Sequence, residues 1–232
     1  MIRAHLERIE REHTQNLLNS LDTGVFEYRI THSSMQMSTI VANLTASGYA
    51  KELYKYCTST FATYVTSKVR VGLRPLTCEI MLSGLVQYWE KYKILLFGMH
   101  EVFYSLDIYF VTHKDSEVLL LYQAGLKIFR ALVLDPYRQK IQEAVIGQIT
   151  KEREGQLIDR DLLKNSLLIF TQVGLTNVKL TKAGSSGSGF SYEGAVNYSF
   201  YDRWFESELL EVSRLYYAAK ITGWMSSLSF PE

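Results

Sequence analysis

Apolar residues recur at threes and fours along most of the chain, the spacing of helices that each bury one face. The first such helix is expected from about Arg11 to Ile30, with Thr31-His-Ser-Ser34 as a break and N-cap cluster, and a short second helix follows from Met35 to Leu44. Thr45-Ala-Ser-Gly48 reads as a turn. Tyr49, Leu53, Tyr56, Phe61 and Tyr64 then mark a third helix, closed by Gly72 and Pro75, with Pro75 suited to the first turn of a fourth. The helical pattern holds from Leu76 to Thr112, where Gly98 marks either a bend or a change of helix, and His113-Lys-Asp-Ser116 is a loop.

Boundary signals are stronger in the second half. Asp135 before Pro136 reads as N-cap followed by first helical residue, with Ile141, Val145, Ile146 and Ile149 forming the apolar stripe and Gly155 ending it. Asp159 caps the next helix, whose inward positions are Leu162, Leu163, Leu167 and Phe170, and Gly174 stands at its end. Ser199 and Asp202 have capping-box spacing for a helix carrying Phe205, Leu209, Val212 and Tyr216. Between Thr176 and Asn197 the pattern fails around Gly184-Ser-Ser-Gly-Ser-Gly189, which reads as a flexible surface loop, with Val178-Lys-Leu180 briefly extended. Eight or nine helices and no sustained strand are expected.

Composition narrows the function classes. Of the 232 residues, 47% are apolar, enough for a packed core, and 21% are charged. The 25 basic and 24 acidic residues leave a net charge of +1, so no broad field favours nucleic acid or anionic lipid. No run of about 18 apolar residues occurs and the N-terminus has no apolar signal core, so a cytoplasmic or nuclear location is expected. Cys57 and Cys78 lack zinc-ligand spacing. They read as free thiols of a reducing compartment, with one disulfide as the alternative.

Chemistry-bearing constellations are thin. His5, His13, His32, His100 and His113 show no ligand spacing, and His100-Glu101 lacks the partner histidine of a zinc protease motif. His100 reads as a helix-surface or partly buried residue. Glu152 and Glu154 sit among Lys151 and Arg153 as a solvated helix end, and Ser185 and Ser186 have no base beside them. No cofactor, metal or catalytic set is expected. Aromatics crowd the first half, among them Tyr54, Tyr56, Trp89, Tyr92, Phe103, Tyr104 and Tyr109, and core packing accounts for most of them.

The stretch Lys151-Glu-Arg-Glu-Gly-Gln-Leu-Ile-Asp-Arg-Asp-Leu-Leu-Lys-Asn165 resembles the cullin signature "KERxGExIDRxLLKN", with Gln156 at a position usually Glu. Trp89-Glu-Lys-Tyr-Lys93 followed by Phe103-Tyr-Ser-Leu-Asp-Ile-Tyr-Phe110 is similar to "W…YK…FxYLDRxY". Gly125-Leu-Lys-Ile-Phe-Arg-Ala-Leu-Val133 is similar to "GLxxFRDLV", and Phe205-Glu-Ser-Glu-Leu-Leu210 with Tyr216, Tyr217 and Trp224 is similar to "FExxFL…YY…W". The resemblance runs from about Gln15 to Leu228 and is nearest the plant cullins of the SCF class.

It implies an all-α, elongated antiparallel bundle of cullin repeats that acts as a non-catalytic scaffold in ubiquitin-dependent degradation. Residues 1–115 would form the first five-helix repeat, and 116–232 a partial second repeat carrying the 176–197 loop. In the family the first repeat binds a Skp-type adaptor with its F-box protein. The C-terminal half, which binds a RING protein, has no counterpart in this sequence, so no RING binding is expected. The family positions facing the adaptor fall at Ser34, Ser38, Val41 and Ala42 of the second helix and at Ser105, Ile108 and Tyr109 of the fifth. Several differ from the family pattern: tyrosines of the second helix are replaced by Ser34, Ser38 and Ala42, a fifth-helix tyrosine by Ser105, and the arginine of "LDR" by Ile108. Each lost interface tyrosine removes about 1–2 kcal/mol. A discounted total of about 3–5 kcal/mol weakens binding by roughly 10² to 10⁴. An alternative register puts Tyr54 and Tyr56-Cys57-Thr58 in the second helix, at the cost of a large deletion before Phe61. The resemblance also implies that Leu215, Tyr216, Ile221 and Trp224 lie on or near an apolar face normally covered by the rest of its repeat. Two readings follow: a scaffold segment that still docks its adaptor, or a degenerate relative with lost or altered partners.

Overall fold

The computed structural model describes residues 2–23, 32–111, 118–182, 190–196 and 205–227. Seven helices and one β-hairpin are found among them, and the fold is all-α in class. Helix α1 spans 2–23, α2 His32–Ala46, α3 50–73, α4 78–111, α5 121–153, α6 Arg160–Val173 and α7 Ser207–Ser227.

Several of these rods are longer than the sequence pattern suggests because wide turns carry them through apparent breaks. In α1, α3 and α5 the hydrogen bond at one point spans five residues instead of four: Gln15 N–H to the Glu10 carbonyl, Arg70 to Val65, and Asp135 to Arg130. The third corrects the expectation of a new helix capped by Asp135. Asp135 has helical torsions and the chain runs on through Pro136, whose missing N–H and bulky ring follow directly on the widened turn. The fourth helix starts later than expected. Thr77 is its extended N-cap and Cys78 its first residue, at a φ of 53°, so Pro75 lies in the preceding turn. Gly72 sits inside the last turn of α3 and does not end it. Helix α4 passes Gly98 unbroken, and the Gly98 carbonyl lies 3.0 Å from His13 Nε2 on α1.

Local chemistry accounts for the α5–α6 corner. Gly155 takes a φ of 81°, a left-handed conformation that costs glycine little. Its N–H meets the Glu152 carbonyl at 2.9 Å and the Gln156 N–H meets the Lys151 carbonyl at 3.0 Å, which closes α5 in a Schellman motif. Asp159 Oδ1 then accepts from the Leu162 N–H at 2.8 Å and caps α6. Arg160 Nε donates to Glu152 Oε1 at 2.6 Å across the corner.

The segment read as a loop at 176–197 is corrected in part. Leu175–Lys182 (β1) pairs antiparallel with Phe190–Val196 (β2) in a register that sets Leu180 opposite Tyr192 and Lys182 opposite Phe190, with an irregularity between Thr176 and Lys179. The Gly184–Gly189 run, the His113–Ser116 loop and the Ser199/Asp202 capping pair lie outside the described residues.

One contiguous apolar core runs from Ile9 to Phe205. At its centre Trp89 and Tyr92 of α4 meet Phe129 of α5, with ring centroids 4.8 and 5.1 Å apart. Trp89 Nε1 donates to Gln172 Oε1 of α6 at 2.8 Å, and Tyr92 Oη donates to the Gly125 carbonyl at 2.9 Å. A Cβ at residue 125 would run into the Leu96 side chain, so any larger residue there requires the buried Leu96 to move aside. No described helix is long and apolar enough to cross a membrane.

Candidate functional site

Helix α2 turns Ser34, Met37, Val41 and Leu44 toward the core, a three-and-four spacing that fixes its rotation. Ser38 and Ala42 flank that stripe and are half-buried. Gly48, at a φ of 93°, lets the chain fold back from α2 into α3. The C-terminal end of α4 packs beside α2. There Ser105, Asp107 and Phe110 point inward, Ile108 is half-buried, and Tyr109 is 64% exposed.

The expected site residues therefore separate. Val41 is wholly buried in the core, and Ser34 and Ser105 are nearly so. Ala42 and Tyr109 come together on one open groove of about 770 Å³, whose walls also include Ala46, Lys51 and Phe110. Ser38 and Ile108 do not line it. The α2–α3 turn adds Gly48, Ala50 and Lys51 to its wall, a tertiary arrangement without a local sequence signal. The alternative register is overturned. Tyr54 and Tyr56 belong to α3, where their hydroxyls donate to the Leu119 carbonyl at 2.7 Å and to Thr14 Oγ1 at 2.9 Å, and Cys57 is fully buried.

The buried side of the same helix, α4, carries a polar pair without a sequence signal. His100 and Asp107 are each 1% exposed, with His100 Nε2 3.9 Å from Asp107 Oδ2. His100 is therefore a core residue, which corrects the surface or partly buried reading. Burial lowers the imidazole to about 4 and raises the Asp107 carboxyl to about 7, the latter opposed by the hydrogen bond from the Leu121 N–H. The ring of Tyr104 meets His100 edge to face at 5.5 Å. Among the described residues no group of three His, Cys, Asp or Glu side chains is placed to hold a metal ion.

A second surface stands out on α7. Leu210, Leu215, Tyr217, Ile221 and Met225 are exposed and Tyr216 is half-buried, while the Trp224 side chain lies outside the described residues. The helix is fastened to the end of α5 by Arg153, whose Nη2 donates to Ser213 Oγ at 2.7 Å and whose guanidinium lies 5.6 and 5.4 Å from the Tyr216 and Tyr217 ring centroids.

Residues 14–232 match the family described as the cullin alpha solenoid domain. The chain is similar to Cullin-1 of Oryza sativa subsp. japonica, at 39% identity over 130 residues that cover 56% of this chain and 17% of that protein. It is 31% identical to Cullin-2 of Arabidopsis thaliana over 202 residues, covering 85% of this chain and 24% of that one. A third relative, the putative cullin-like protein 2 of Arabidopsis thaliana, is 29% identical over 186 residues, covering 80% of this chain and 44% of its own length. The chain thus spans less than half the length of each of these three relatives.

Proposed function

The chain belongs to the cullin family, and from that membership we propose that it is a non-catalytic scaffold segment of a ubiquitin ligase that docks a Skp-type adaptor and its F-box protein through the α2–α4 groove. In this reading residues 1–115 form the adaptor-binding repeat, 116–232 extend the stalk, and these residues contribute no RING contact. The observation that carries the proposal is the meeting of Ala42 and Tyr109, both at family docking positions, on one groove. An exposed tyrosine at its edge offers the large, amphipathic contact area typical of interface anchors.

On this reading the groove holds its adaptor only weakly. Ala42 leaves empty the volume an aromatic anchor would fill, and Ser38 beside it is equally small. Ser34 and Ser105 face inward, so a tyrosine at either would overpack the core and could not serve as an anchor. The missing aromatics favour a second reading, a degenerate relative that has lost or changed its adaptor and acts as a decoy or remnant.

Titration calorimetry of the chain against a Skp-type adaptor bound to an F-box protein separates the two. Docking predicts weak, saturable binding that Tyr109→Ala abolishes. Restoring the anchors with Ser38→Tyr and Ala42→Tyr tightens it, each by about tenfold. Absence of saturable binding in the wild type and in both restored variants would sink the docking proposal and leave the degenerate one.

A further inference from the structure

Three side chains of α3 and α4 grip the segment that leads into α5. Tyr54 Oη donates to the Leu119 carbonyl at 2.7 Å, Asp107 Oδ1 accepts from the Leu121 N–H at 2.9 Å, and Tyr92 Oη donates to the Gly125 carbonyl at 2.9 Å. Leu120 has no side chain able to cap α5, so the carboxylate of another helix, 14 residues back in sequence, takes that place. Of the three grips only Asp107 carries a group that changes charge near neutrality, since burial raises the Tyr54 hydroxyl to about 12 and the Tyr92 hydroxyl well above its ordinary value.

We propose that Asp107 is a proton-controlled latch between α4 and α5, holding the start of α5 while its carboxyl is neutral and loosening it once the carboxyl ionises.

The direction follows from burial. A bare carboxylate beside apolar walls lacks the water that would solvate it, and one backbone N–H does not replace that water. Among the described residues the groups facing Asp107 do little to help. His100 lies 3.9 Å away on the same helix but is itself held neutral by burial. From α3 come Tyr54 and Cys57, both repelling a negative charge if ionised. From α5 comes the Leu121 N–H, and α2 carries one titratable residue, His32, whose side chain lies outside the described residues. The closed joint binds the proton more tightly than the open one, in which the carboxyl regains its ordinary value of 3.8. Opening is therefore favoured about tenfold per pH unit from roughly 4 up to about 7 and no further above it. His100 works in the opposite sense, since burial lowers its affinity for a proton and opening is favoured as pH falls below 6.5.

Amide exchange of the whole chain at Leu121, corrected for the intrinsic rate, reads the latch directly. Asp107→Asn keeps an acceptor for the Leu121 N–H and cannot ionise. The ratio of protection in Asp107→Asn to that in the wild type cancels the His100 contribution. It is expected to rise about tenfold per unit from pH 5 to 7 and then level off. A ratio that stays constant from pH 5 to 8 overturns the proposal. Carbon NMR of the wild-type Asp107 carboxyl needs no variant: a midpoint near neutrality supports the latch, and one near 4 overturns it.

Discussion

The α4–α5 joint and the attachment of α7 are built differently. At the joint, Trp89, Tyr92 and Phe129 are buried against one another, and side-chain hydrogen bonds fix the incoming backbone at Leu119, Leu121 and Gly125. Helix α7 leaves much of its apolar surface in solvent, with Leu215 at 54%, Ile221 at 49% and Met225 at 78% exposure. Its described polar hold is concentrated on Arg153, which joins Ser213 and the two tyrosine rings, while Tyr216 Oη returns a bond to the Arg153 carbonyl at 3.1 Å. The joint is held by area removed from water, a large and non-directional contribution. The α7 attachment is held by a few directional contacts, individually modest and partly open to solvent.

If this contrast is right, Trp89→Ala is the most damaging of three substitutions. It leaves a cavity between α4, α5 and α6 and orphans Gln172, with an expected cost of about 3–5 kcal/mol read from urea unfolding. Arg153→Ala should cost about 1–2 kcal/mol. Its effect should be local: exchange protection falls along α7 while the amides of α4 keep theirs, and an equal loss in both would erase the distinction. Leu215→Ser and Ile221→Ser are expected to change stability by no more than about 0.5 kcal/mol each, because both side chains already stand in water. A cost near that of Trp89→Ala would mean that α7 is packed far more tightly than its exposure indicates.

What the sequence discloses tracks how local each interaction is. The α5–α6 corner was readable residue by residue, because Gly155, Asp159 and their neighbours satisfy one another within a few positions. Helical spacing pointed to Phe170 of α6, which is buried, and to Leu162, Leu163 and Leu167, which are half-buried against the core, while the exposure of Leu215 and Ile221 was expected from the family resemblance. The hairpin was not readable in this way, since pairing Leu175 with Val196 joins residues separated by the Gly184–Gly189 run, whose composition suggested a loop. A hint was there: a structureless stretch of about 20 residues is unusual inside a compact domain, and Phe190, Tyr192 and Val196 fall on alternate positions. The groove was half legible. Family positions indicated Ala42 and Tyr109, but the core-facing rotation of Ser34, Val41 and Ser105 depends on how α2 seats against α4. The His100–Asp107 pair gave no sequence signal, because burial of a polar side chain is decided by what packs over it.

The widened turns at Glu10–Thr14, Val65–Val69 and Arg130–Leu134 each accommodate one residue more than a regular helical turn. A residue gained or lost elsewhere in these rods would swing everything beyond it by about 100° and turn side chains such as Ile141 out of the core. At a widened turn the surplus bulges locally and the flanking segments keep their facing. These three places therefore act as slack in otherwise rigid rods, where evolution can change chain length without redrawing the core.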